Sequence, residues 1–326
     1  MFIESDMPPL SVVAVGDVND VTVSGIEEAL AANLPRIMRE LNVIDTPLFV
    51  VKVWSDPAEF KAVFESEGGR GGVTRGYVNT EQMEIRLLDG ADVEEVAVHE
   101  VVHIVMLAVN PTIAANPFWL WEAVALYVDG SGPPDTELLS CISSEGGPSL
   151  TELNEYPGNS IIFRMGYLLA DYVIENWGQM ALRSLIESNG DIETVLGIGQ
   201  EQFERDWLEY VLATYEFQRT AGSMTESELV DRFSGNTLAN KQVDQSTFLA
   251  ADGNFYYGRQ GFVQAKGRWY ASDSDEICLE FGSGKPRCSR WYENGSSTYR
   301  LASRSDCVFQ DWELILGDAR GLTTAQ

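Results

Sequence analysis

Residues 97–105 read A-V-H-E-V-V-H-I-V, and the two histidines in it, His99 and His103, are the only ones in the chain. With Glu100 after the first, they form one H-E-x-x-H motif. On a helix, positions four apart share a face and lie about 6 Å from each other, close enough to hold one metal ion. On a strand the same pair would be roughly 13 Å apart and could not. The valine-rich run from Val93 to Val109 has β propensity, but it is longer than strands usually are. Asp92 stands where a cap belongs, Glu94 and Glu95 fall in a first turn where the helix dipole favours anions, and Pro111 stops the run. The spacing therefore predicts a helix buried nearly all round, with Val96, Val101, Val102 and Ile104 in the core and a zinc site on the histidine face.

A catalytic zinc normally takes three protein ligands and keeps a fourth position open. No third histidine exists, and the metzincin extension is absent, with Met106 at its glycine position and Val109 at its third histidine. A carboxylate must complete the set. Glu122, in N-P-F-W-L-W-E-A-V-A-L-Y-V (116–128), is the only charged residue between Pro117 and Val128. A carboxylate among so many apolar neighbours is costly unless it is paired or binds a metal. Asn116 and Pro117 are expected to open its helix.

These residues resemble a known family. H-E-V-V-H, eighteen intervening residues, then Glu122 within W-L-W-E-A-V-A-L-Y is similar to the gluzincin zinc peptidases. The resemblance extends over most of residues 10–217. It implies His99, His103 and Glu122 as ligands of one Zn²⁺ and Glu100 as general base. It also implies a zincin-like α+β domain, a mixed sheet followed by a helical half. In many relatives a tyrosine three residues before a helix glycine donates to the reaction intermediate. Here Phe163 precedes Gly166 at that spacing and cannot donate, which leaves Tyr156 or Tyr167 as substitutes, or zinc and Glu100 alone. The implied activity is hydrolysis of peptide bonds in a peptide or protein substrate. The alternative is a weak or inactive zincin-fold binding platform. No G-A-M-E-N-type signature precedes the motif helix, so the usual aminopeptidase mode lacks support.

The net charge is -28, from 50 acidic and 22 basic residues. Such a chain is a poor partner for nucleic acid or anionic membranes and draws in cationic peptides; the same acidity also serves solubility. No run reaches the roughly 18 apolar residues of a membrane span. The start, M-F-I-E-S-D, shows no signal peptide, so the chain is expected to be either cytosolic or a mature form with a new methionine. The oligomeric state is not legible.

Along the chain, a strand near 11–15, a helix from about 26 to 41, a strand over 49–54 and a short helix over 57–66 are expected. The loop 67–72 lacks the Gly-Lys-Ser/Thr of a phosphate cradle. Met83 to Leu88 is expected as an edge strand beside the motif helix, and the resemblance implies that such a strand binds substrate backbone by strand addition. Helices follow near 160–177, 179–188 and 199–217, with Trp177, Trp207 and Tyr210 as core. The composition shifts after Phe217, dividing the chain into a peptidase-like domain (1–220) and a β-rich accessory domain (221–326). In the latter, one short helix precedes alternating aromatic runs with glycine turns, which read as antiparallel β. Tyr256, Trp269, Tyr270 and Trp291 are better read as core than as a binding face. Cys278 and Cys288 flank a turn near Gly282–Gly284 and are expected to form a disulfide across a hairpin. That pairing favours an extracytoplasmic, periplasmic or secreted location. Cys141 and Cys307 either pair across the domains or stay free; Cys141 as a thiolate on the metal is a remote option.

Overall fold

Val93–Val109 forms a 17-residue helix, and eleven of its residues are buried. It is the element around which the first part of the chain assembles. The computed structural model of the chain describes residues 11–69, 75–136, 139–142, 146–155, 161–216, 224–241, 243–282, 284–303 and 307–324. Two compact units emerge. One comprises the chain up to Pro134 together with Pro148–Thr214; the other joins Asp135–Gly147 to Tyr215–Gln326.

In the first unit the elements run β1 (Val12–Val15), α1 (Asp20–Glu40), β2 (Val50–Trp54), α2 (Pro57–Ser66), β3 (Gly76–Asn79), β4 (Glu84–Leu88), α3 (Val93–Val109) and α4 (Phe118–Val128). They continue with α5 (Leu150–Leu153), α6 (Ile162–Trp177), α7 (Gln179–Glu187), α8 (Ile192–Leu196) and α9 (Gln200–Thr214). The sheet is mixed, in the order β1-β2-β4-β3. β1, β2 and β4 are parallel, and β3 folds back antiparallel onto β4.

This order corrects the expectation for the edge. The strand at 84–88 is internal, and Gly76–Asn79 takes the outer place. The tight turn over Thr80–Met83 returns β3 along β4, while β2 occupies β4's other side. The burial of β4 agrees, since Ile85, Arg86, Leu87 and Leu88 are all buried in succession. Alternation is lost where both faces of a strand are covered.

α1 begins six residues earlier than its apolar pattern suggests. The Asn19 side chain accepts from the Val21 N–H, and the helix continues through Pro35. Its buried stripe of Ile26, Leu30, Leu34 and Ile37 belongs to a helix in contact with α3. Trp207 is buried, its indole N–H donating to the Leu168 carbonyl. Tyr210 donates to Asp171.

The second unit carries α10 (Glu226–Phe233), capped by Thr225 in a reciprocal box with Glu228, ahead of nine antiparallel strands among the described residues. These are β5 (Asn236–Asn240), β6 (Ser246–Leu249), β7 (Asn254–Arg259), β8 (Phe262–Ser272), β9 (Glu276–Glu280), β10 (Arg287–Ser289), β11 (Trp291–Glu293), β12 (Thr298–Ser303) and β13 (Val308–Leu316). Their order is β10-β9-β8-β7-β6-β5-β13-β12-β11. The two outermost strands, β10 and β11, are separated in sequence by Arg290 alone, so the sheet must roll up until its edges nearly meet. The result is close to a barrel, and Phe233, Leu238, Phe255, Trp269, Trp291, Tyr299 and Trp312 fill it. Trp269 and Trp291 are thus core, whereas Tyr270 is exposed.

Cys278 and Cys288 stand directly opposite each other on β9 and β10 and are bridged. Cys141 is bridged to Cys307. Both cysteines of this second pair lie in the second unit, so the link closes within it rather than across the two. The two disulfides are compatible with an oxidising compartment. No helix among the described residues is long and apolar enough to cross a membrane.

Candidate metal centre and its cavity

Helical spacing brings the rings of His99 and His103 to 5.1 Å between centroids. Glu122 arrives from α4, an eleven-residue helix whose other buried side chains are all apolar. α4 lies close against α6 because Gly166 has no side chain. A Cβ there would stand 3.0 Å from the Ala123 Cα and 2.8 Å from the Leu126 Cδ1. Trp121, next to Glu122, stacks face to face on His103 at 4.1 Å.

The His99 Nε2 is 3.4 Å from the Glu122 Oε2, and the His103 Nε2 is 4.0 Å from the Glu122 Oε1. One ligand atom from each of the three residues lies within 4.8 Å of the others, so the group could hold a metal ion. A test of fit comes from the polar atoms themselves. The Glu122 Oε2 is buried and has no hydrogen-bond partner. A buried carboxylate oxygen left this way is expensive, and a cation at the convergence of the three side chains satisfies it. Two imidazoles and one carboxylate are also a donor set that suits zinc.

Asp129 completes the arrangement, and nothing in the sequence pointed to it. Its Oδ2 lies 3.1 Å from the His99 Nδ1. Asp129 is itself held in place: the Ser131 N–H donates to its Oδ1 at 2.8 Å, and Arg36 donates to its carbonyl at 3.1 Å and to that of Val128 at 2.7 Å. A carboxylate on the outer nitrogen fixes the tautomer and presents the inner nitrogen as a ligand. His103 has no such partner; its Nδ1 is buried without one, and the Trp121 ring orients it instead.

The charge states follow from these contacts. Burial works against an imidazolium at His99, but Asp129 on its Nδ1 and the Glu122 carboxylate beside its Nε2 outweigh it and push the pKa up to about 10. The metal-free site therefore favours the imidazolium form of His99. Burial, with the charge on His99 beside it, drives His103 well below the usual imidazole range. Burial pushes the Glu100 carboxyl up to about 8; the His99 charge opposes this and Glu122 reinforces it.

These residues open onto a cavity of about 940 Å³. Its lining includes His99, Glu100, His103 and Glu122, the edge strand from Gly76 to Asn79, and the aromatic side chains Phe118, Trp121 and Phe163. Gly76 lies against Glu100. A Cβ at that position would stand 3.0 Å from the Glu100 Oε1 and 2.6 Å from the Val96 Cγ1. Phe163 is exposed at the cavity and meets Phe118 edge to face at 6.0 Å. Tyr167 packs on Tyr127 at 4.9 Å and is not among the lining residues. Tyr156 lies outside the described residues.

No protein-family model matches this chain, and no curated protein matches it in sequence.

Proposed function

We propose that the chain is a zinc-dependent metallopeptidase of the gluzincin type, with a zincin-like first unit and a β accessory unit. One observation carries this reading: both histidines of the chain and the buried Glu122 converge beside Glu100 in the lining of one cavity. His99, His103 and Glu122 would hold a single Zn²⁺. Bound there, zinc supplies Lewis acidity that activates water and polarises a carbonyl.

The remaining work falls to side chains of the chain. Glu100 is not needed as a ligand, and a binding site of purely structural purpose has no use for it. In the metal-free site burial raises its carboxyl to about 8, and a cation bound beside it would favour the carboxylate, the form that accepts a proton. In hydrolysis it accepts the proton of the attacking water as the new C–O bond forms. It returns that proton to the peptide nitrogen as the C–N bond breaks. Asp129 keeps the His99 Nδ1 protonated and the ring fixed. β3 faces no other strand on its outer side among the described residues, so an extended substrate can lie along it.

Phe163 supports a second reading, a weak or inactive zincin-fold protein that serves as a binding platform. It lines the cavity, and by its spacing before Gly166 the resemblance would put a donor at its position, while Tyr167 packs on Tyr127. A missing donor of this kind costs about 3 kcal/mol, enough to slow a peptidase without silencing it. The two disulfides fit a periplasmic or secreted setting. Digestion of a diverse peptide library by the zinc-loaded chain, with and without a chelator, tests the function. Chelator-sensitive cleavage is expected; no cleavage of any peptide would move the account to the platform.

A further inference from the structure

The negative charge of this chain is unevenly placed. Residues 1–220 carry 36 acidic and 11 basic side chains, while residues 221–326 carry 14 and 11. A general solubility role would not require that concentration in the part of the chain that builds the cavity. The stretch supplying α3 and α4 is the extreme case, since no lysine or arginine occurs between Arg86 and Arg164.

At the cavity the imbalance becomes local. Glu81 and Glu95 line it, both are exposed, and neither makes an ion pair or hydrogen bond among the described residues. Glu95 lies one turn before His99 on α3, hence on the same face as the histidines. Glu81 sits in the turn between β3 and β4, at the far end of the edge strand from Gly76. Among the described residues the basic side chains nearby are already committed: Arg75, which lines the cavity, pairs with Asp92, Arg86 pairs with Glu67 and Glu84, and Lys52 pairs with Glu84. The same lining holds Glu122, buried, whose Oε2 has no hydrogen-bond partner and faces the place where a cation would sit beside His99 and His103.

From this we infer that the cavity selects peptides bearing a lysine or arginine side chain, and that Glu81 and Glu95 are the residues that read the charge. This rests on the peptidase reading for the placement of a peptide in the cavity, and it adds the substrate class. Neither carboxylate belongs to the metal ligands or is the base, so they act on choice of substrate and not on the bond-breaking step. Each exposed carboxylate facing one cationic side chain contributes modestly, and the pair together gives a preference of about tenfold.

The test measures binding apart from turnover. The full chain carrying Glu100→Gln, loaded with zinc, is titrated calorimetrically with N-acetylated, C-amidated hexapeptides identical except for one central residue: lysine, arginine, norleucine or glutamate. A fifth peptide has norleucine and a free N-terminus. The lysine and arginine peptides are expected to bind about tenfold tighter than the norleucine peptide, with the glutamate peptide weakest. In the Glu81→Gln/Glu95→Gln double variant of that chain this advantage should disappear at unchanged zinc content and norleucine affinity. Equal affinity for all four capped peptides would overturn the inference. So would a basic preference that survives the double substitution, or tight binding that follows the free amine instead of the side chain. Cleavage by the native chain separates the two claims. Cleavage without basic preference would refute this inference and leave the peptidase standing. Selective binding without any cleavage would refute the peptidase and leave the cation-reading cavity.

Discussion

Gly76→Ala is the substitution that most sharply tests how the edge strand and the motif helix meet. Gly76 does not lie in the left-handed region, so alanine is tolerated by the backbone and the consequence is steric. The new Cβ would stand 2.6 Å from the Val96 Cγ1 and 3.0 Å from the Glu100 Oε1. Valine on a helix has little rotameric freedom, so Val96 cannot turn away and either β3 or α3 must shift. Glu100 is the softer neighbour and is displaced first. Overpacking of this kind costs about 1–3 kcal/mol, partly offset by about 0.4–1 kcal/mol from the less flexible unfolded chain. For a unit of this size each kcal/mol lowers the melting temperature by about 2–4 °C. A carboxylate moved by about 1 Å loses of order 10²-fold in rate. Thermal melting, zinc content and peptide hydrolysis should therefore show a drop of a few degrees, full zinc occupancy and a large loss of turnover. Gly199→Ala serves as control, because a Cβ there meets nothing within 4 Å. If Gly76→Ala is as stable and as active as the native chain, the contact between strand and base is not what the structure shows.

Three further outcomes are expected. Asp129→Asn should lower zinc affinity by about 10–100-fold in a competition titration, because the His99 Nδ1 loses its carboxylate; unchanged affinity would remove Asp129 from the centre. In the metal-free protein His99 is raised to about 10, so its contribution to stability is complete below its unfolded pKa near 6.5 and is lost as pH rises toward 10. Glu100, raised to about 8, also makes stability fall between about 4.5 and 8. Melting of the metal-free chain should accordingly decline from pH 6.5 to 9.5, while zinc affinity rises with pH as His99 gives up its proton; a flat profile for both would refute the paired carboxylates at His99. Mass mapping of unreduced peptides should show Cys278–Cys288 and Cys141–Cys307, and Cys141→Ser/Cys307→Ser should cost the second unit roughly 2–5 kcal/mol in denaturant unfolding.

Much of the centre was legible before the fold. The spacing of His99 and His103 permits metal sharing only on a helix, and Glu122 was conspicuous as a lone carboxylate in an apolar helix. Asp129 was not, because it reaches His99 from thirty residues away. It also opens D-G-S-G-P-P, which reads as an ordinary loop. Gly76 was silent for a similar reason: an absent side chain announces nothing about the Glu100 it will touch. The order of β3 and β4 in the sheet escaped the pattern as well. Both are short, and only the turn over Thr80–Met83 decides which of them lies outermost. At α1 the β-branched run V-T-V-S-G argued against an early start, yet the Asn19 cap and the packing of its apolar stripe prevailed. The second unit's antiparallel character showed in its alternation, but the residues that tie Asp135–Gly147 to it, the Cys141–Cys307 link and the Leu139–Val308 bridge, join positions far apart in sequence that no local signal pairs.

The central claim is that Glu100 is the working base of a zinc site made by His99, His103 and Glu122. It is tested most directly by measuring zinc per chain and peptide hydrolysis side by side in the native protein and Glu100→Gln. The account expects one zinc in both and a fall in hydrolysis of about 10² or more in the variant. Native-like hydrolysis by Glu100→Gln, or a native chain that binds no zinc, would contradict it.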